Sequence, residues 1–473
     1  MPPNASEIAA RKPLPPVPGV TKLLGPGLVW MALAQGSGEL IWWPYLVAKY
    51  GLAFLFLLIP ACFLQLPLTF EIGRYTLLTG EGIFRGFFRL SRTFGVLLWL
   101  LFTVSFFWFG AFASAGGTAI ATLTDFPGGW SPRGQTLFWA QSSIVLFTLA
   151  LVSARRVYVL IEAVMKVVAV TSLVGMTVAC CHPTVRAVLG EFVAGLIWPD
   201  WERMQTFDVE ADASRLLTAI SFAGLGGFWA LFYSYWLREK GAGMAGHGTH
   251  HAAGRGGAEP IRGGDAALPE ATAESAERLR GWYRYLTLES LVGVVGNLAT
   301  TLMSCLLAYA LLTPTGRLPE GFEIAVVQSE FFAVTWGDFG RGLFLVIAAT
   351  FLADTWLATA DCVARIHLDA LGQMFPVIRT HDSRRWYYGL VLAGAVITSV
   401  TMYLDQPGAL IVTSALIGFA GTVIYAVALI LVNHRLLNRQ LCGGLRSTRW
   451  SLGLVAISTA IYAALAVGYL MVK

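Results

Sequence analysis

The sequence predicts an all-α polytopic membrane protein of about eleven transmembrane helices, arranged as a 5+5 inverted repeat with helices 1 and 6 broken at mid-membrane. Three observations carry that prediction. Of 473 residues, 56% are hydrophobic and only 13% charged, with a mean hydropathy of +0.65, more apolar surface than one soluble core encloses. Apolar windows of about 20 residues, long enough to cross a ~30 Å hydrocarbon layer, recur along the whole chain. Two of these windows, five apart in order, are interrupted by glycine clusters, "QGSGE" at 35–39 and "AGLGG" at 223–227.

The elements follow in order. A tail over 1–22 carries Arg11, Lys12 and Lys22 and lacks the apolar core of a secretory signal. Spans 25–48, 52–76, 94–121, 134–153 and 157–180 form a first repeat, 23–180, and an external loop covers 181–212. Spans 213–236, 283–312, 341–364, 384–404 and 408–433 form a second repeat, 213–433. Within it, 237–281 is a flexible cytoplasmic linker rich in glycine and histidine. Residues 434–473 add a cytoplasmic loop and an eleventh span, 450–472, outside the repeat.

Charge in the loops predicts orientation. Arg85, Arg89 and Arg92, Arg155 and Arg156, Arg238 and Lys240, Arg384 and Arg385, and Arg435, Arg439 and Arg446 alternate with acidic segments holding Asp200, Glu202, Asp208, Glu210, Asp212, Glu320 and Glu323. Basic loops stay inside, which puts the N-terminus in the cytoplasm and the C-terminus outside, in a plasma or bacterial inner membrane. The net charge of +5 is spread between apolar runs, so no nucleic-acid partner is implied. Six scattered cysteines give neither a disulfide framework nor a zinc spacing. No cofactor motif and no nucleophile, base and orienter set appears, so the chain does not read as an enzyme. Oligomeric state is left open.

Non-helical backbone at membrane depth persists only where protein or a wet cavity satisfies it. Counting from Pro26 at ~1.5 Å per residue, Gly36 lies roughly 15 Å into the layer. Either glycine cluster alone reads as a close-packing surface. Paired clusters in corresponding spans, one beside the ionisable Glu39, read as two broken helices holding a substrate between two repeats, the pattern of a secondary transporter. In the eighth span Asp354 and Asp361 are seven residues apart, on nearly one face. Measured from Gly342 they lie about 18 and 28 Å deep, which makes Asp354 the mid-membrane carboxylate and pairs Asp361 with Arg365 near the inner surface. Glu162 and Lys166 read as a self-neutralised i,i+4 couple. Glu289, with Asn297 two turns on, is placed on a proton exit path. Trp42, Trp43 and Tyr45 read as an interfacial aromatic belt. Trp229 either fills the central cavity or walls it. His247, His250 and His251 read as part of a solvated loop before a metal trap.

Four stretches carry a resemblance. "GPGLVWMALAQGSGELIWWPYLVAKYG" from Gly25, "RYTLLTGEGI" from Arg74, "HPTVRAVLGEFVAGLIWP" from His182 and "SFAGLGGFWALFYS" from Ser221 resemble the Nramp family of proton-coupled divalent-metal transporters, over roughly 20–433. The resemblance implies a LeuT-like fold, secondary transport, possible proton coupling and a small inorganic ion as partner alongside the bilayer. The binding motifs depart from it. Where the family has DPGN, this chain has Gly36, Ser37, Gly38 and Glu39, and the MPHN-like motif aligns with Gly226, Gly227, Phe228 and Trp229. No family metal ligand transfers, and without the thioether a preference for transition metals is unsupported. Oxygen ligands suit a hard or partly hydrated cation. The expected substrate site is therefore Gln35, Gly36, Ser37, Glu39, Gly224, Gly226, Gly227, Trp229 and Asp354, with Glu39 and Asp354 as metal ligands and Glu39, Glu289 and Asp361 on the proton pathway. Two alternatives stand: the same fold carrying a small organic solute or anion at half-helix N-termini, and a channel or non-transporting receptor.

Overall fold

The computed structural model describes residues 8, 10–19, 25–36, 40–154, 157–247, 266–320, 324–380 and 383–472. In lipid a helix satisfies all its own backbone groups, and the apolar windows are helical throughout. Among the described residues nine helical stretches are long and apolar enough to cross a membrane. Two further segments complete the eleven: the first, split into Pro26–Ala34 and Leu40–Tyr50, and the ninth, Ser383–Thr401, which opens on Arg384 and Arg385.

Boundaries move where capping chemistry dictates. The sixth span starts at Val209 because the Asp208 side chain accepts from the Ala211 amide, and the seventh starts at Ala273 because Thr272 accepts from Ser275. The eighth runs Glu330–Met374 with a kink at Gly337, φ 59° and ψ −139°. Burial ranks the spans. In their most apolar windows the sixth is 94% and the eighth 83% buried, against 33% for the fourth and 22% for the eleventh, so the sixth and eighth are central and the others peripheral. The outward rows Val145, Leu146 and Leu149, and Val167, Val170 and Val174, are exposed and apolar, a surface suited to acyl chains.

Two expectations change at the helix ends. The linker read as flexible over 237–281 is structured at both its ends, through helix Phe232–Glu239, a 3₁₀ turn Gly243–His247, strand Leu268–Pro269 and the helix from Ala273. His250 and His251 lie outside the described residues, and His247 Nε2 sits 2.7 Å from the Pro13 carbonyl oxygen. The N-terminal tail is packed: Arg11–Lys12 pairs in parallel with Leu268–Pro269, Arg278 donates to the Leu14 carbonyl and Trp282 to the Pro15 carbonyl. Trp42, Trp43 and Tyr45 form no lipid-facing belt. All three are buried, because their half-helix lies inside the bundle, with Arg215 stacked 4.7 Å from the Tyr45 ring. The end of the bundle that carries the N-terminal segment is its N-face.

Candidate functional site

The sixth span breaks where the sequence supplies residues that tolerate left-handed backbone. Helix Val209–Phe222 stops, Gly224 and Leu225 take φ of 75° and 72°, and helical turns resume at Gly227. Leu225 at positive φ is a non-glycine outlier, held by its surroundings. Gly226 is obligatory on space alone: a Cβ there would stand 1.6 Å from the Ser221 carbonyl oxygen and 2.6 Å from Gln65 Nε2. The broken segment is pinned by two side chains. Trp30 Nε1 donates to the Gly224 carbonyl at 2.6 Å and Tyr425 OH to the Gly227 carbonyl at 2.9 Å. The carbonyl of Gly224, a residue of the expected substrate site, thus already accepts an indole N–H.

The first-span helix ends at Ala34, Gln35 and Gly36 continue it as a widened turn, and helix resumes at Leu40. Ser37, Gly38 and Glu39 lie outside the described residues. Gly36 abuts the eighth span, where a Cβ would come within 2.1 Å of Thr355 Oγ1 and 2.6 Å of the Phe351 carbonyl oxygen. Gln35 Nε2 donates to Thr300 Oγ1 at 2.8 Å. Trp30, six residues before Gly36, ties the first half-helix to the sixth-span break through its indole N–H.

Asp354 neighbours Thr355, the residue against Gly36. It is fully buried, and neither carboxylate oxygen has a hydrogen-bond partner among the described residues. Bare burial of a carboxylate is costly without a cation, a proton or water. Gly36 and the Asp354 segment are brought together, while Gly224, Gly226 and Gly227 pack against Cys62, Gln65 and Gly418. Trp229 fills space: its ring lies 5.6 Å from Phe106 and 5.1 Å from Phe112 of the third span, and it is 1% exposed. Asp361 is ion-paired with Arg365 at 2.9 Å and accepts from Tyr387 OH at 2.5 Å, and Arg365 also reaches Glu239 at 2.6 Å. Glu289 accepts from the amides of Gly25, at 3.3 Å, and Gly27, which gives the first half-helix the N-terminal cap its own sequence lacks. Glu162 pairs with Lys166 at 2.5 Å and also with Lys240 at 2.9 Å.

Two groups escaped the sequence reading. Gln65, fully buried beside Gly226, has both amide atoms unpartnered among the described residues, and its only signal was one amide in the apolar run "ACFLQLPLTF". Asp212 reads as one acid in an acidic loop, yet it is fully buried and accepts from Lys49 at 2.7 Å, Arg215 at 2.8 Å and Tyr45 at 3.0 Å. Arg215 continues to Glu320 at 2.9 Å. This network closes the face opposite the N-face. At the N-face Asp369 takes Arg85 at 3.2 Å and Arg238 at 2.9 Å, and Arg89 takes Glu81 at 2.8 Å. The broken helices therefore sit between two ion-pair networks. Among the described residues no group of three or more His, Cys, Asp or Glu is placed to hold a metal.

No protein-family model matches the chain, and no curated protein matches its sequence. Solved structures do match. A histidine-to-alanine variant of the Eremococcus coleocola manganese transporter superposes with a TM-score of 0.61 at 13% identity, covering 97% of this chain and 88% of that one. A glutamate-to-glutamine variant of the same transporter gives 0.60 at 13% identity with the same coverage. MhsT in complex with L-phenylalanine gives 0.55 at 14% identity, covering 94% of this chain and 98% of that one. At such identities the likeness speaks for architecture, and the architecture is the LeuT fold, an inverted repeat with its first and sixth helices broken.

Proposed function

We propose that the chain is a secondary active transporter that carries a hard inorganic cation, divalent in the first instance, through a site at the break of its first helix, beside Asp354 of the eighth. The observation that carries this reading is Asp354, a fully buried carboxylate with no hydrogen-bond partner among the described residues, one residue from the contact with Gly36. Glu39 adds the second charge. Such a pair neutralises a divalent ion without the family's soft ligands. The basic loops assign the N-face to the cytoplasm and the opposite face to the exterior. Residues 23–180 and 213–433 are the two repeats. The network around Asp212 then closes the outer mouth and that around Asp369 the inner one, and transport opens them in turn. Asp361, tied to Arg365, and Glu289, tied to the first half-helix, hold the inner ends of their spans and would pass protons only when those contacts part.

One observation favours a second cargo. Gln35, Gln65 and Asn297 each keep a buried amide atom unpartnered among the described residues, chemistry that suits a small organic solute, and MhsT is described with L-phenylalanine. Uptake by proteoliposomes holding the full chain decides between them. Mn²⁺ and other divalent ions should accumulate, and Glu39→Gln should abolish that accumulation. Accumulation of amino acids in place of metals transfers the site to the second cargo. Large uncoupled currents turn the reading to a channel.

A further inference from the structure

A groove of about 670 Å³ runs along the fourth span, Pro132–Ser153, starting from the end opposite the N-face. Trp130 and Tyr403 stand at its mouth, and Val145, Leu146 and Leu149 continue it inward. From Gly134 to Leu149 it follows about 15 residues of helix, ~22 Å, more than the ~15 Å of hydrocarbon in one leaflet. The groove lies on a seam between two spans. Gln141 Nε2 donates to the Ser399 carbonyl at 2.9 Å and Arg133 Nη2 to the Tyr403 carbonyl at 2.8 Å, which ties the fourth span to the end of the ninth at two heights.

The lining selects the occupant. Val145, Leu146 and Leu149 are exposed and apolar on a span that crosses the membrane, so the groove opens sideways to acyl chains rather than to water. Whatever lies along it is apolar for most of its length. The mouth has a different chemistry. Trp130, packed edge-on against Phe138 at 6.1 Å, and Tyr403 are exposed aromatic residues of the kind that sit at headgroup level. Beside them Arg133 is exposed, gives one N–H to the Tyr403 carbonyl, and makes no ion pair among the described residues. The two carboxylates near the mouth in sequence are engaged elsewhere: Asp125 accepts from Gln135 Nε2 at 3.1 Å and Asp405 from the Gln406 amide at 2.7 Å. A guanidinium with N–H groups to spare at headgroup level matches a phosphate. The groove has the volume of a small-molecule site. A transmembrane helix of a second copy, ~10 Å across and ~30 Å long, would overfill it and leave the Arg133 charge unanswered.

We propose that this groove binds one phospholipid, its phosphate held by Arg133 and one acyl chain laid along the fourth span from Phe138 to Leu149. Bound there, the lipid covers the seam between the fourth and ninth spans and adds to the two hydrogen bonds that close it. Because it binds the folded chain and not the unfolded one, it stabilises the fold as its concentration rises. The site does not depend on what the chain transports.

The test uses the purified full chain in a neutral detergent. Native mass spectrometry during titration with phosphatidylglycerol should show one lipid retained per chain before further lipids add, and the thermal unfolding midpoint should rise over the same range. Diacylglycerol with the same acyl chains, and glycerol 3-phosphate, which has the headgroup without the chains, should each bind more weakly. Arg133→Gln should weaken phosphatidylglycerol binding about fivefold, the worth of one basic residue against an anionic headgroup, and leave diacylglycerol binding as it was. Leu146→Trp, which puts an indole into the groove, should weaken both lipids. The comparison of the two lipids on the wild-type chain needs no variant, so the test survives a variant that does not fold. Equal affinity for phosphatidylglycerol and diacylglycerol, or full-strength phosphatidylglycerol binding by Arg133→Gln, overturns the proposal. Uptake of many lipids with no tighter first one reduces the groove to ordinary annular contact and overturns it as well. A dimer stable in detergent that Leu149→Cys cross-links gives the groove to a second copy, with the same consequence.

Discussion

Gly226→Ala probes the sixth-span break with one added carbon. That carbon would stand 1.6 Å from the Ser221 carbonyl oxygen, whereas ordinary contact requires about 3.5 Å, so the two must part by ~2 Å. Gln65, 2.6 Å away, can swing aside because it is a flexible side chain, but the Ser221 carbonyl belongs to the last turn of helix Val209–Phe222 and cannot yield without unwinding it. Over-packing of this kind costs roughly 1–3 kcal/mol in stability. The functional cost is greater, since a misplacement of ~1 Å at a preorganised site already removes about a hundredfold of activity. Gly227→Ala is the control. Its φ of 64° imposes strain of about 1–2 kcal/mol. Its nearest foreign atoms, in Gly418, are at an ordinary 3.5 Å. Proteoliposome uptake of Mn²⁺ and thermal unfolding of the purified chain should show Gly226→Ala folded, destabilised and inactive, with Gly227→Ala destabilised but still transporting. Wild-type uptake by Gly226→Ala, or equal loss in both, would refute the argument from packing at the break.

Asp354→Asn should abolish Mn²⁺ uptake while holding or raising the unfolding midpoint, because it removes a buried carboxylate that has no partner among the described residues; a marked drop in midpoint would make Asp354 structural. Trp229→Ala should destabilise by about 3–5 kcal/mol by opening a hole among the third-span phenylalanines. Chemical unfolding in mild detergent measures this, and an unchanged midpoint would return Trp229 to the cavity wall. Asp212→Asn should open the face opposite the N-face, seen as faster maleimide labelling of a cysteine introduced at Leu46. Its stability cost should fall below the ~3–5 kcal/mol of a fully buried broken pair, since Lys49 and Arg215 are each 29% exposed.

Fold was legible because lipid leaves a chain few choices: apolar length writes each span, and the glycines at 223–227 write the sixth-span break. Pairs close in sequence were legible for the same kind of reason, as Asp361 with Arg365 and Glu162 with Lys166 sit one helical turn apart. Partnerships across the bundle were not. Nothing near Asp212 in sequence announces Lys49, and nothing near Glu289 announces the amides of Gly25 and Gly27, because both are made by helix packing. Aromatic residues misled for a related reason. Trp42 and Trp43 have the composition of an interfacial belt, but whether a ring faces lipid or protein depends on which neighbours cover the half-helix. The linker read as flexible, yet its end at Leu268 is paired with Arg11 of the tail, a contact nothing near either residue in sequence announces.

The central claim is that cargo rests at the break of the first helix, beside Asp354 of the eighth. An anomalous-difference map from crystals of the full chain grown with Mn²⁺ tests it most directly. The account predicts one strong peak between the Gly36 end of the first span and the eighth span, within reach of Asp354. A peak confined to the histidine-bearing linker, or none in a crystal whose protein still transports Mn²⁺, would contradict it.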